Sequence, residues 1–91
     1  MNGPAESVPG TDSAEERVLS VLRRITQEIV PEAEPASFTP DRTLSELGCN
    51  SIDRAEIVTL AMEELDIAVP VHEFHQGMDI GTLAALMRKQ L

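Results

Sequence analysis

Three segments of the sequence repeat apolar residues at the three- or four-residue spacing of an amphipathic helix. The first spans about 13–30 and ends before Pro31, the second spans about 51–65, and the third begins at Asp79. The apolar residues that this spacing predicts in the core are Val18, Val21, Leu22, Ile25, Ile29, Ile52, Ala55, Val58, Ala61, Met62, Leu65, Ile80, Leu83, Ala84 and Met87. The segment "VHEFHQG" allows at most one short additional helix.

The composition favours helix packing over a β-sandwich. Only two of the 91 residues are aromatic, so the core must be built from Leu, Ile, Val, Met and Ala. We predict an all-α fold, a four-helix bundle with three main helices, one short helix and a long first loop. Residues 1–12 are rich in Gly, Pro, Ser and acidic residues and predict a disordered tail, which leaves 13–91 as a single domain.

The connection between the first two helices, residues 31–48, contains three prolines and is long for a small domain. Thr43 and Glu46 have the spacing of a capping box and predict a short turn that Gly48 ends. We expect three apolar side chains to hold this connection against the core, namely Phe38, Leu44 and Leu47.

The formal net charge of −9 argues against binding to a nucleic-acid backbone or an anionic membrane, because both attract clustered Lys and Arg. It favours basic protein surfaces as partners. The single cysteine, Cys49, predicts a reducing cytoplasm and a small, semi-buried side chain; a reactive thiol is the alternative, because a nearby helix N-terminus lowers a thiol pKa. His72 and His75 lack a third ligand nearby, so no metal site is predicted. We expect a monomer without a targeting or membrane-spanning segment.

The stretch "ELGCNSIDRAEIV" places Ser51 at the predicted start of the second helix, where it can be a helix cap, a nucleophile or an attachment point. Asn50 is at least as good a cap. A nucleophile elbow needs a glycine where Asp53 stands, and the candidate bases, His72 and His75, are distant in sequence. An attached phosphate would lie at a helix N-terminus, where free backbone amides favour an anion.

The residues "LGCNSID" followed by "RAEIVTLAMEELDIAVP" resemble the second-helix region of acyl carrier proteins. The matching residues are Leu47, Gly48, Ser51, Ile52, Asp53, Glu56, Glu63, Glu64, Ile67, Val69 and Pro70. The helix layout extends this resemblance over about 13–91. It implies a non-catalytic carrier with 4′-phosphopantetheine covalently attached to Ser51 and with acyl groups held as thioesters on the thiol of that arm.

Two departures from the family pattern narrow the resemblance. Asn50 replaces the usual Asp, which in the family helps the modifying transferase to bind its metal, and Arg54 interrupts the acidic face. The segments "GCNSIDRAEI", "VPVHEF" and "MDIGTL" are similar to the freestanding carriers of polyketide β-branching cassettes, which donate an acetyl group to an HMG-CoA-synthase-like enzyme. The alternatives are an ordinary discrete polyketide or fatty-acid carrier, and an acidic helical adaptor in which Ser51 is only a cap.

The resemblance implies four partners: a phosphopantetheinyl transferase, an acyltransferase, a ketosynthase-like decarboxylase that acts on a malonyl group, and the HMG-CoA-synthase-like enzyme. We expect basic partner surfaces to meet the acidic second helix and the short third helix. The predicted docking residues are Asn50, Ile52, Asp53, Arg54, Glu56, Ile57, Met62, Glu63, Glu64, Val71 and Phe74. Arg54 lies off the predicted apolar stripe and is expected to reach solvent.

Overall fold

The computed structural model describes residues 13–74 and 77–91, so the predicted tail at 1–12 lies outside the described residues. Three α-helices account for most of the described chain: α1 (Ser13–Ile29), α2 (Ser51–Leu65) and α3 (Ile80–Arg88). Three 3₁₀ turns lie in the connections, at Pro35–Ser37, Ser45–Leu47 and Val71–Glu73. The predicted all-α fold and its three main helices are confirmed. The predicted fourth helix is, within the described residues, the single turn Val71–Glu73.

The helix α1 is the element against which the other two pack, since it contacts both α2 and α3. Its predicted apolar positions are confirmed, with Ile29 half-buried at the edge of the core. Thr26 is also buried, and its hydroxyl donates a 2.7 Å hydrogen bond to the Leu22 carbonyl, which gives this buried hydroxyl a partner. The buried apolar residues of the domain are Val18, Val21, Leu22, Ile25, Val30, Ala33, Phe38, Leu44, Leu47, Cys49, Ile57, Ala61, Leu65, Val69, Ile80, Leu83, Ala84 and Met87.

The long connection between α1 and α2 is held in place by the buried side chains and by the capping box that the sequence predicts. Phe38, Leu44 and Leu47 are buried in the core. The Thr43 amide donates to Glu46 Oε1 at 3.0 Å, and the Glu46 amide donates to Thr43 Oγ1 at 3.1 Å, which is the predicted reciprocal pair. The chain then turns at Gly48, whose φ of 98° lies in the left-handed region that glycine adopts without strain.

The same connection is bonded to the start of α3. The Ile80 amide donates to the Arg42 carbonyl and the Gly81 amide to the Pro40 carbonyl, each at 2.8 Å. A Cβ atom on Gly81 would stand 3.1 Å from Pro40, so this close approach of two backbones favours a glycine. These bonds occupy amides that would otherwise lack partners in the first turn of α3, and they fix the loop relative to that helix.

The helix α3 follows the sequence prediction closely. Asp79 is its N-cap, with a carboxylate oxygen that accepts a 2.8 Å hydrogen bond from the Thr82 amide. The residues that α3 buries are the four predicted ones, Ile80, Leu83, Ala84 and Met87.

The orientation of α2 differs from the prediction. The core face of α2 is formed by Ile57, Ala61 and Leu65, and the Ile57 side chain is fully buried. Ile52, which was predicted to face the core, is 74% exposed, and Ala55 is exposed as well. At about 100° per residue, Ile52 lies about 140° around the helix from Ile57, so the two cannot share the core face. Apolar residues occur on several sides of α2, and their spacing alone did not identify the buried side.

Replacement of Ile57 by Ala is expected to lower the free energy of unfolding by about 2–5 kcal/mol, because it removes three buried carbon atoms and leaves a cavity. Replacement of Ile52 by Ala is the matched control and should change it by less than about 0.5 kcal/mol, because that side chain already contacts water. Urea unfolding followed by circular dichroism measures both. Equal losses in the two variants would show that the assigned core face of α2 is wrong.

Candidate functional site

Ser51 is the first residue of α2 and is exposed. The chain reaches it through the left-handed turn at Gly48, the buried Cys49 and the extended Asn50. The turn and the buried side chain fix the path of the backbone, while the hydroxyl that follows them faces solvent. The predicted position of Ser51 at the start of the second helix is confirmed.

The helix cap is supplied by Asn50 and not by Ser51. Asn50 Oδ1 accepts a 2.7 Å hydrogen bond from the Asp53 amide, and the Asn50 amide donates to Asp53 Oδ2 at 3.1 Å. This reciprocal pair is a complete capping box. The Ser51 hydroxyl takes no part in it, so the explanation of Ser51 as the cap is wrong and its oxygen is left open to other chemistry.

A nucleophilic role for Ser51 would require a base close to its hydroxyl. Of the two candidate histidines, His72 is exposed in the turn Val71–Glu73 and His75 lies outside the described residues. In the part of the chain that the structure describes, no hydrogen bond joins Ser51 to an acid or a base, and no cluster of three His, Cys, Asp or Glu side chains could hold a metal ion. The described geometry thus offers no activated serine.

Cys49 is the small buried residue that the sequence predicts, and not the alternative of a thiol activated by the helix N-terminus. Its side chain is only 3% exposed, and burial raises the pKa of the thiol, with a further increase from the negative charge of Asp53. The positive charge of Arg54 acts in the opposite direction but is the smallest of these effects. Cys49 therefore serves as a small apolar side chain that anchors the residue before the cap.

Arg54 was predicted to reach solvent, but its side chain does not extend freely away from the protein. Its side chain is half-buried, and Nη1 donates a 3.1 Å hydrogen bond to the Cys49 carbonyl. The guanidinium therefore lies back along the first turn of α2, against the segment that leads into Ser51. Sequence spacing could not have revealed this contact, because a side chain that reaches back to a loop carbonyl has no periodic signature.

A cavity of about 310 Å³ opens between α2, α3 and the segment that connects them. Among the described residues that line it, Arg54 is the one charged residue and most of the others are apolar. The residues that line it are Leu44, Arg54, Ala55, Val58, Thr59, Met62, Phe74, Met78, Ile80 and Leu83. Half of them are residues of α2 that follow Ser51 in sequence and lie on the same side of the helix. The cavity and the serine therefore share one face of α2.

The outer face of α2 is acidic, as predicted. Glu56, Glu63 and Glu64 are all exposed. Glu64 is not isolated, however, since it forms an ion pair and hydrogen bond with Arg24 of α1, which also binds Glu28 at 3.2 Å. Nothing in the local pattern of α2 pointed to this cross-helix pair, because the two residues are 40 positions apart. Glu56 and Glu63 are the acidic side chains of this face that have no such pairing with any residue the structure describes.

The apolar residues that were predicted to dock partners divide into different environments. Ile57 is fully buried, so its predicted role in partner contact is wrong. Ile52 is strongly exposed beside Ser51 and presents an apolar side chain to solvent. Met62 and Phe74 are half-buried and line the cavity, and Val71 begins the last 3₁₀ turn. In the described residues, no helix is both long and apolar enough to cross a membrane.

Comparison with known proteins shows the family of the chain. Residues 16–88 match the family model described as "Phosphopantetheine attachment site". Over 72 residues the chain is 38% identical to the polyketide biosynthesis acyl-carrier-protein AcpK of Bacillus subtilis (strain 168), covering 79% of this chain and 88% of that protein. It is also 33% identical over 79 residues to the highly reducing polyketide synthase aurA of Calcarisporium arbuscula. That match covers 87% of this chain but only 3% of the synthase.

A solved structure is similar in both sequence and fold. The crystal structure of the curacin biosynthetic pathway HMG synthase in complex with acetyl donor-ACP contains a chain that matches with a TM-score of 0.73 and 37% identity. The match covers 84% of this chain and 97% of that one, so the matched chain has the size of a carrier and not of a synthase. With the helix order, the exposed serine and these matches in agreement, the chain belongs to the acyl carrier family, whose members carry covalent 4′-phosphopantetheine.

Proposed function

We propose that Ser51 is the residue to which the 4′-phosphopantetheine arm is attached, through a phosphodiester on its hydroxyl. The observation that carries this proposal is that Asn50 caps α2, which leaves the exposed Ser51 oxygen free at the first residue of the helix. The free amides of a helix N-terminus favour the negative charge that the phosphodiester brings. The terminal thiol of the arm then holds the acyl group as a thioester, and the chain itself performs no catalysis.

The residues around Ser51 fit such a group. The hydroxyl is accessible to a modifying enzyme, and the cavity beside it begins at Arg54, one helical turn away. Asn50 stands where the family usually has Asp, and its side-chain oxygen already accepts a hydrogen bond from the Asp53 amide. An amide oxygen is also a weaker ligand than a carboxylate for a hard cation. The transferase therefore has to act without the carboxylate that usually helps to bind its metal at the position of Asn50.

The attachment is tested by intact-mass analysis after incubation with a phosphopantetheinyl transferase and coenzyme A. The native chain is expected to gain the mass of one arm. Ser51→Ala should gain none while remaining folded, because the Asn50 cap is retained. Ser45→Ala removes another exposed serine, from the turn just before the site, and should be modified like the native chain. Full modification of Ser51→Ala would overturn the proposal.

We further propose that the cargo is an acetyl group, delivered to an HMG-CoA-synthase-like enzyme during polyketide β-branching. The support is the likeness to a carrier that is named as an acetyl donor in complex with an HMG synthase, at 37% identity and over 84% of this chain. The relative from Bacillus subtilis is also named for polyketide biosynthesis. An acyltransferase and a ketosynthase-like decarboxylase would then load malonyl and convert it to acetyl, in the cytoplasm.

Partner docking is proposed to use the exposed side chains around Ser51 and along α2. The exposed Asn50 and Ile52 and the half-buried Asp53 lie at the attachment end, and the exposed Glu56 and Glu63 continue the surface. Glu64 contributes less than the other two glutamates, because Arg24 offsets its charge. Each exposed ion pair is worth only about 0–1 kcal/mol, so docking on a basic surface depends on several of these contacts together.

The acetyl-donor proposal is tested by loading acetyl onto the arm and offering the carrier to an HMG-type synthase together with a β-ketoacyl acceptor carrier. The native chain should donate acetyl, whereas a fatty-acid carrier loaded in the same way should donate at least about tenfold more slowly, which corresponds to about 1.4 kcal/mol of discrimination. Mass spectrometry of the acceptor measures the product. Equal rates for both carriers would favour a general polyketide or fatty-acid carrier and would leave the attachment at Ser51 intact.

A further inference from the structure

We propose that Arg54 is a positioning residue for the arm. Its guanidinium binds the phosphodiester on Ser51 and directs the arm onto the face of α2 that lines the cavity. This inference rests on the proposed attachment at Ser51. It assigns to Arg54 a role within the carrier itself, in place of the free partner contact that its sequence position predicted.

The positions of the two residues bring them together. Ser51 and Arg54 are three residues apart on one helix, a spacing that makes side chains neighbours, with about 5–6 Å between their Cβ atoms. Helical side chains also lean toward the N-terminus of the helix. The 3.1 Å hydrogen bond from Nη1 to the Cys49 carbonyl demonstrates this direction for Arg54, since Cys49 precedes Ser51 by two residues. The guanidinium is thus held at the end of α2 where the phosphodiester would be.

The chemistry of the guanidinium suits a phosphodiester. Arginine has five N–H donors in a planar fork that matches phosphate oxygens, and the contact with Cys49 uses one of them. The side chain is half-buried against an apolar wall, where a charge pair is screened less than on an open surface. Asp53 lies in the same turn and would repel the phosphate, and Arg54 offsets that repulsion in a chain whose net charge is −9.

The position of the cavity indicates the side of α2 along which this contact would direct the arm. Arg54, Ala55, Val58 and Met62 line the cavity and follow Ser51 by three, four, seven and eleven residues, which places all five positions along one side of α2. This side is about 16 Å long from Ser51 to Met62 at the rise of an α-helix. A phosphodiester held by Arg54 starts the arm on this side, whereas an unrestrained one would leave the arm free to project from any side of the helix end.

The test is nuclear magnetic resonance of the apo and arm-bearing native chain and of three variants. Arg54→Gln removes the charge, Arg54→Lys keeps the charge without the fork, and Arg17→Gln removes an exposed charge of α1 as the matched control. In the native chain, arm attachment should move the Arg54 Nε–Hε resonance more than that of any other arginine. The ³¹P resonance of the arm should shift and narrow in Arg54→Gln, take an intermediate position in Arg54→Lys and stay unchanged in Arg17→Gln.

Two results would overturn the inference, and they are distinguishable from a failure of the proposed function. If intact mass shows the arm on the native chain but the Arg54 Nε–Hε resonance is the same with and without it, the contact does not exist. If the ³¹P resonance is the same in the native chain and Arg54→Gln, the guanidinium does not position the phosphodiester. The first readout needs no substitution, so it decides the matter even where a variant folds poorly. If no arm is attached at Ser51, the proposed function fails and this inference fails with it.

Discussion

The site depends on the reciprocal hydrogen bonds between Asn50 and Asp53, at 2.7 Å and 3.1 Å. They start α2 at Ser51 while using neither its hydroxyl nor its amide. The short polar side chain of the residue that precedes a helix commonly caps it, because it satisfies a free amide of the first turn. In α2 this residue is Asn50, so the cap does not need the side chain of Ser51. An exposed serine can therefore stand in the first turn of a well-capped helix, where an anionic attachment is favoured electrostatically.

One side of α2 packs in the core, and another side lines the cavity. Ile57, Ala61 and Leu65 hold the helix in the core, while Ala55, Val58 and Met62 face the cavity. The long connection ahead of α2 is fixed by buried side chains and by backbone bonds to α3, so the approach to Ser51 is set by the fold and not by the site residues. Changes on the exposed acidic side can consequently alter specificity at little cost to the core, whereas Val58 and Met62 on the cavity side also pack against it.

Much of this arrangement could be predicted from the sequence, for identifiable reasons. The buried residues of α1 and α3 followed from periodicity because each of these helices has one clear apolar side. The same method misplaced Ile52 and Ile57, because α2 carries apolar side chains toward both the core and the cavity. The contacts of Arg54 and of Arg24 join side chains to distant or non-periodic partners, so they required the three-dimensional structure. The resemblance to acyl carriers depended on the motif "LGCNSID". The fold explains the position of its serine, because Asn50 caps α2 and leaves Ser51 exposed as the first residue of the helix.

The measurement that tests this account most directly is the free energy of unfolding of Asn50→Ala and Ser51→Ala by urea denaturation. If Asn50 is the cap and Ser51 has no structural duty, Asn50→Ala loses about 1 kcal/mol and Ser51→Ala changes by less than about 0.5 kcal/mol. Asn50→Ser, which can still cap, should recover most of the loss. A loss of about 1 kcal/mol in Ser51→Ala with none in Asn50→Ala would contradict the account, because the fold would then be using the hydroxyl that we assign to the arm.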